Sequence, residues 1–78
     1  MDTKQKMGGD GMVDTVKLKK VRCSAGFFTS AEMARAMGMK RSNYGNRERG
    51  VVPFSADEIV RMCGLLGISL EDGMKLLT

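Results

Sequence analysis

Apolar residues in this chain recur at helical intervals, and glycine or short polar stretches separate one run from the next. Leu18, Val21, Arg22 and Ala25 fall at i, i+3, i+4 and i+7, which predicts a helix from about Asp14 or Thr15 to a stop at Gly26. Thr29 with Glu32 forms a capping-box pattern ahead of Met33, Ala34 and Met37, and Gly38 closes that second helix. A third helix is expected over about Arg41–Arg49, ended by Gly50. Ser55 with Glu58 opens a fourth, which turns Ile59, Met62, Cys63 and Leu66 inward and stops at Gly67. Ser69 with Asp72 opens a short last helix with Leu70, Met74 and Leu77 as its apolar set. No run alternates with the period of two that a half-buried strand requires, and no internal repeat is present. The expectation is an all-α bundle of five helices.

The third helix breaks the pattern. Tyr44 is its one obvious apolar anchor, and Gly45 lowers its helix propensity by roughly 1 kcal/mol relative to Ala. A helix that buries so little of itself makes sense when its surface is kept for a polar partner. Charge supports this. From Thr15 to Gly50 nine cations face two acids, a net +7, whereas Val51–Thr78 carries −2 and the first fourteen residues −1. A compact basic half attracts polyanions, because each phosphate neutralised by Lys or Arg releases condensed counterions. A solvated basic face with no partner would carry the same charge.

Length and composition narrow the classes. A chain of 78 residues, 42% hydrophobic, makes one small domain with little room for a deep cleft. It contains no His, which removes the usual general base and most zinc sites, so no catalytic residue, metal or cofactor is expected. Two cysteines, Cys23 and Cys63, are too few for a disulfide scaffold, and the methionines read as core filler. Residues 1–13 read as a flexible, Gly-rich tail ahead of a domain over 14–78. The first eleven residues lack the apolar run of a signal peptide and no segment is long enough to span a bilayer, so a cytoplasmic protein without membrane or small-molecule partners is expected.

The stretch Thr29–Gly50, TSAEMARAMGMKRSNYGNRERG, sets two short helices about a glycine turn. That is the geometry of a helix-turn-helix, whose second helix enters the major groove of DNA. Arg41 suits bidentate contact with guanine O6 and N7, Asn43 or Asn46 suits adenine N6 and N7, and Ser42 serves either sense.

Leu18–Leu77 resembles the Cro/C1-type helix-turn-helix family (the xenobiotic-response-element family) of phage repressors and small bacterial regulators. The resemblance is carried by LKKVRCSAGF at 18–27, TSAEMARAMGM at 29–39, RERG at 47–50 and PFSADEIVRMCGLLGISLEDG at 53–73, in that order and spacing. It implies a compact, lambda-repressor-like five-helix bundle that binds double-stranded DNA without enzymatic activity, commonly as a symmetric homodimer on a short inverted repeat. By position it places Lys40, Arg41, Ser42, Asn43 and Asn46 at bases or groove, Thr29 and Ser30 at phosphate, and Arg47 and Arg49 at phosphate on the far side of the third helix. It also implies a buried ion pair between Arg22 and Glu48. A repressor that occludes a promoter is the expected role. The alternative is a protein-interaction module, an antitoxin or adaptor in which DNA binding is secondary; a third reading is a sequence-blind nucleic-acid binder.

Two departures from the family pattern stand out. Arg47 takes a place that is usually apolar or aromatic; either its aliphatic stem covers core while its head snorkels outward, or the third helix sits differently and the base contacts shift by one residue. The turn Gly26–Thr29 is one residue longer than usual, which predicts Phe28 in the core and Phe27 partly exposed or at an interface. Dimer contacts are expected from Leu70, Met74, Leu76 and Leu77, helped by Phe54 or Leu65, with at least one of Leu76 and Leu77 outside the monomer's own core.

Overall fold

Helices in this chain start where a short side chain takes up the free N–H groups of a first turn. The computed structural model describes residues 13–78, and α1 spans Thr15–Ser24, α2 Ser30–Met37, α3 Arg41–Glu48, α4 Ala56–Leu66 and α5 Leu70–Leu77. Asp14 caps α1 by accepting from Lys17 N–H, and Ser69 caps α5 by accepting from Asp72 N–H. Thr29 with Glu32 and Ser55 with Glu58 form complete capping boxes at α2 and α4. Among the helices of the described residues, only α3, which follows Lys40, starts without a side-chain cap. Among the described residues there is no strand, and the expected all-α arrangement of five helices is present. Of the tail expected over residues 1–13, residues 1–12 lie outside the described residues.

The core gathers one stripe from each helix. Leu18 of α1, Met33 and Met37 of α2, Tyr44 of α3, Met62 of α4 and Leu77 of α5 are fully buried. Each such side chain contributes about 1.5–3 kcal/mol of transfer free energy. α2 packs on both α3 and α4, α4 on α5, and α5 returns to α1. The loop from α3 to α4 delivers Phe54, which is buried with its ring tilted against Tyr44 at a centroid distance of 6.2 Å.

Four expectations change here. Val13, assigned to the tail, is buried in the core, and the next residue, Asp14, donates its N–H to Leu76 O at 3.1 Å, so the first described residues are fastened to α5. Leu76 and Leu77 are both buried, at 3% and 2% exposure, so neither is free for a dimer contact. The apolar arc of α5 is wider than the groove that receives it: Gly73, Leu76 and Leu77 fill the groove, and Leu70 and Met74 stay outside at its edge. Phe54 is likewise used up inside the monomer, and Leu65 is half-buried against the core.

The fourth change is at the turn after α1, where the two phenylalanines exchange roles. Phe27 packs partly against the core and Phe28 is 67% exposed. The Phe27 backbone is held on both sides, its N–H donating to Arg22 O and its carbonyl accepting from the Arg22 guanidinium, each at 3.0 Å. The chain then extends through Thr29, and successive side chains of an extended segment face opposite ways, so only one ring can turn inward.

α4 and α5 approach so closely that a glycine is required between them. A Cβ at Gly73 would lie 2.1 Å from Cys63 Sγ. Burial, and then the charge of Asp72, push the Cys63 thiol above its ordinary pKa, so it packs there as a small neutral group. Gly73→Ala is therefore expected to lower stability by about 1–3 kcal/mol in urea denaturation. Adding Cys63→Ala should recover most of that loss, and equal losses in the single and double variants would contradict the contact.

Candidate nucleic-acid interface

The α2–α3 corner depends on a backbone shape that side-chain-bearing residues resist. Gly38 adopts φ +72° and ends α2, and Met39 N–H returns to Ala34 O at 2.9 Å. The chain reverses within three residues, Met39 drops half-buried against the core, and α3 begins at Arg41.

A buried polar cluster fixes where α3 then lies. Arg22 of α1 and Glu48 of α3 are 5% and 4% exposed, and Arg22 Nε stands 3.3 Å from Glu48 Oε1. That contact is a charge pair without hydrogen-bond alignment. The aligned bonds are made by the other atoms: the guanidinium donates to Phe27 O, and the Ser30 hydroxyl at the head of α2 donates to Glu48 Oε2 at 3.3 Å. The expected pair is present, and the part of Ser30 in it was not foreseen. Tyr44 lies beside this cluster, fully buried, its hydroxyl without a hydrogen-bond partner. Burial, and then the adjacent Glu48 carboxylate, push that hydroxyl above the ordinary tyrosine pKa, so it stays protonated. Tyr44 is a core residue, unavailable for stacking on a base.

With Tyr44 and Glu48 turned inward, the opposite side of α3 faces solvent. Lys40, Arg41, Ser42, Asn43 and Arg49 are exposed and Asn46 is half-buried. Ser30, Arg41, Ser42, Gly45, Asn46 and Arg49 line an open concavity of about 480 Å³. The first turn of α3 holds no acid, whereas those of α2, α4 and α5 do. Its leading N–H groups, its dipole and the charges of Lys40 and Arg41 therefore act together on any anion in front of it.

Thr29 and Ser30 are less free than their positions imply. The Thr29 side-chain oxygen accepts from Glu32 N–H, while the Glu32 carboxylate accepts from the N–H groups of Phe28 and Thr29. Ser30 is half-buried and committed to Glu48, yet it still lines the concavity.

Arg47 is corrected more strongly. Its Nε donates to Glu58 Oε1 of α4 at 2.9 Å and its Nη1 to Asn43 O at 3.0 Å, with only 22% of the side chain exposed. It sits beside Pro53 and Phe54, away from the concavity, so it braces α3 against α4 and is not a free phosphate ligand. Sequence reasoning missed this because Glu58 was already assigned to the α4 cap; its carboxylate serves both Ser55 N–H and Arg47. Arg61 was also missed: its guanidinium reaches back to Met37 O at 2.9 Å and closes the end of α2.

A family model described as helix-turn-helix matches residues 18–72. No curated protein and no solved structure matches the chain. The chain belongs to the Cro/C1-type helix-turn-helix family. The Cro/C1-type domain is a DNA-binding regulatory domain and not a catalytic one, and the chain is a DNA-binding regulator of that type. Its double-stranded DNA partner follows from the same domain. Among the described residues no helix is long and apolar enough to cross a membrane.

In this Cro/C1-type domain the two braces of α3 respond differently to perturbation. Glu48→Gln leaves Arg22 buried without a counter-charge, and a loss of about 3–5 kcal/mol in chemical denaturation is expected; a loss below about 1 kcal/mol would show the pair to be incidental. The Arg47–Glu58 brace should be visible in pH dependence. Partial burial works to raise Glu58, but Ser55 N–H and the Arg47 guanidinium overcome it, and the folded pKa lies below the ordinary 4.5. Its contribution to stability is full above pH 4.5 and is lost as pH falls through the lowered value. Arg47→Ala should flatten part of that limb of the stability curve while leaving the share held by Ser55 N–H, and an unchanged acid limb would dismiss the brace.

Proposed function

We propose that this protein is a sequence-specific repressor that binds an inverted-repeat operator as a homodimer and blocks transcription by occlusion. One observation carries the reading. The face of α3 turned away from the core holds an uncapped, acid-free N-terminus, flanked by Lys40 and Arg41 and continued by Ser42, Asn43 and Asn46. A single α-helix fits the major groove, where every base pair presents its own donor and acceptor pattern. Lys40, Arg41, Ser42, Asn43 and Asn46 make the base or groove contacts in this reading. Thr29, Ser30 and Arg49 take phosphate at the rim. Double-stranded DNA is the partner, and the protein works in the cytoplasm, where that DNA lies.

The dimer contact falls on Leu70 and Met74, 54% and 47% exposed on one edge of α5. Two copies joined by a two-fold axis would present recognition helices to successive major grooves about 34 Å apart. The rival reading, a protein-interaction module, would use the same two side chains for a different protein.

Selection of bound sites from random duplex DNA tests the reading as a whole. A recovered inverted repeat is expected, and recovery of no common sequence would reject specific regulation. Within the recovered site, Arg41→Ala should lose roughly 1–3 kcal/mol of affinity, concentrated at one base pair. Equal loss on the selected and on random duplexes would remove Arg41 from the base-reading set.

A further inference from the structure

Gly45 stands at mid-length in α3, where a glycine weakens the helix and no positive φ calls for one. It lines the concavity in front of α3, yet it is buried. The group lying over it is the Arg49 guanidinium. A Cβ at position 45 would lie 3.1 Å from Arg49 Nη1, and among the described residues no other group beyond the local helix backbone and the two adjacent residues comes within 4 Å. A close contact with the end of a long, flexible side chain is relieved by moving that side chain. The fold therefore does not need the glycine, but the placement of Arg49 does.

Arg49 directly follows α3, and its N–H donates to Gly45 O at 3.0 Å. Its side chain runs back toward the start of the helix, the direction in which helical side chains lean. There Nη2 donates to Asn46 Oδ1 at 2.6 Å. The guanidinium is thus tethered by an amide on one side and rests on bare backbone at Gly45. Both Asn46 and Arg49 line the concavity, so the charge is held inside it. The second lone pair of the Asn46 oxygen and the amide NH2 stay open to the groove, and the tether leaves Asn46 in the base-reading set.

We propose that Gly45 is a positioning residue that sets Arg49 for DNA before DNA arrives. An arginine that swings freely in solvent loses its rotamer freedom when it grips a phosphate, and that loss is subtracted from affinity. Here Gly45 supplies the space, Asn46 the tether and Arg49 the charge, and the ordering is already done in the free protein. The inference rests on the DNA-facing role of α3 and adds to it how one of its phosphate contacts is preorganised. Phosphate is the same on every duplex, so the effect is independent of sequence.

The test is a double-mutant cycle in the full chain: Gly45→Ala, Arg49→Ala and the two together. Melting temperature is measured for each, with affinity for the selected duplex and for a random duplex of equal length. Gly45→Ala should raise the melting temperature by roughly 4–8 °C, because alanine favours the helix. It should also weaken both duplexes by roughly threefold to tenfold, because the displaced guanidinium must then be ordered on binding. In the Arg49→Ala background the same change should still raise the melting temperature but leave affinity where Arg49→Ala puts it. An affinity loss of equal size in both backgrounds would overturn the proposal, since the added methyl would then be meeting DNA directly. So would a Gly45→Ala chain that melts lower, one that binds as tightly as the wild type, or an Arg49→Ala chain with no loss of affinity. Wild-type binding that does not distinguish the two duplexes would reject sequence-specific reading alone, while binding of neither would remove the DNA-facing role and the proposal with it.

Discussion

The buried charge pair between Arg22 and Glu48 sets the position of everything that faces outward. α3 has few other fastenings: Tyr44 is its only large apolar side chain in the core, and Arg47 bridges to Glu58 of α4. Two ions at 3.3 Å, almost wholly removed from water, are costly to separate because either one alone would be left uncompensated. The pair therefore acts as a locator. Through Phe27 O and the Ser30 hydroxyl it also ties down the turn after α1 and the head of α2. Three elements meet at one polar knot, and the surface of α3 is left free because the fastening is done from inside.

A second consequence is the sorting of charge. Acids sit in the first turns of α2, α4 and α5, where they complement helix dipoles, and the first turn of α3 is left without one. The Arg47–Glu58 bridge removes one cation from the basic face and uses it to lock α3 to α4. On α3 and its flanking residues, Lys40, Arg41 and Arg49 remain outward, while Lys17, Lys19, Lys20 and Arg35 are exposed on α1 and α2.

Much of the fold was legible because local chemistry and packing agree. Capping patterns at Thr29 and Ser55 marked helix starts that the structure shares, and the helical spacing of Leu18, Met33, Met37, Ile59 and Met62 named the core. The family pattern led to Arg22 and Glu48. The misreadings share a cause: each turned on which of two adjacent residues faces inward, or on a partner distant in sequence. Phe27 and Phe28 are equal in hydrophobicity, and only the backbone bonds to Arg22 decide between them. Leu76 and Leu77 both fit because the first described residues close over the end of α5. Arg47 finds Glu58 eleven residues away, and Gly73 meets Cys63 between two helices, contacts that no periodicity encodes.

Amide chemical-shift mapping of the isotopically labelled chain, titrated with its selected duplex, addresses the central claim most directly. The largest changes should fall on Lys40–Asn43, Gly45, Asn46 and Arg49, with smaller ones at Ser30, while Met33, Met62 and the other core positions stay still. Changes confined to the Leu70 and Met74 edge of α5, with α3 silent, would contradict the account.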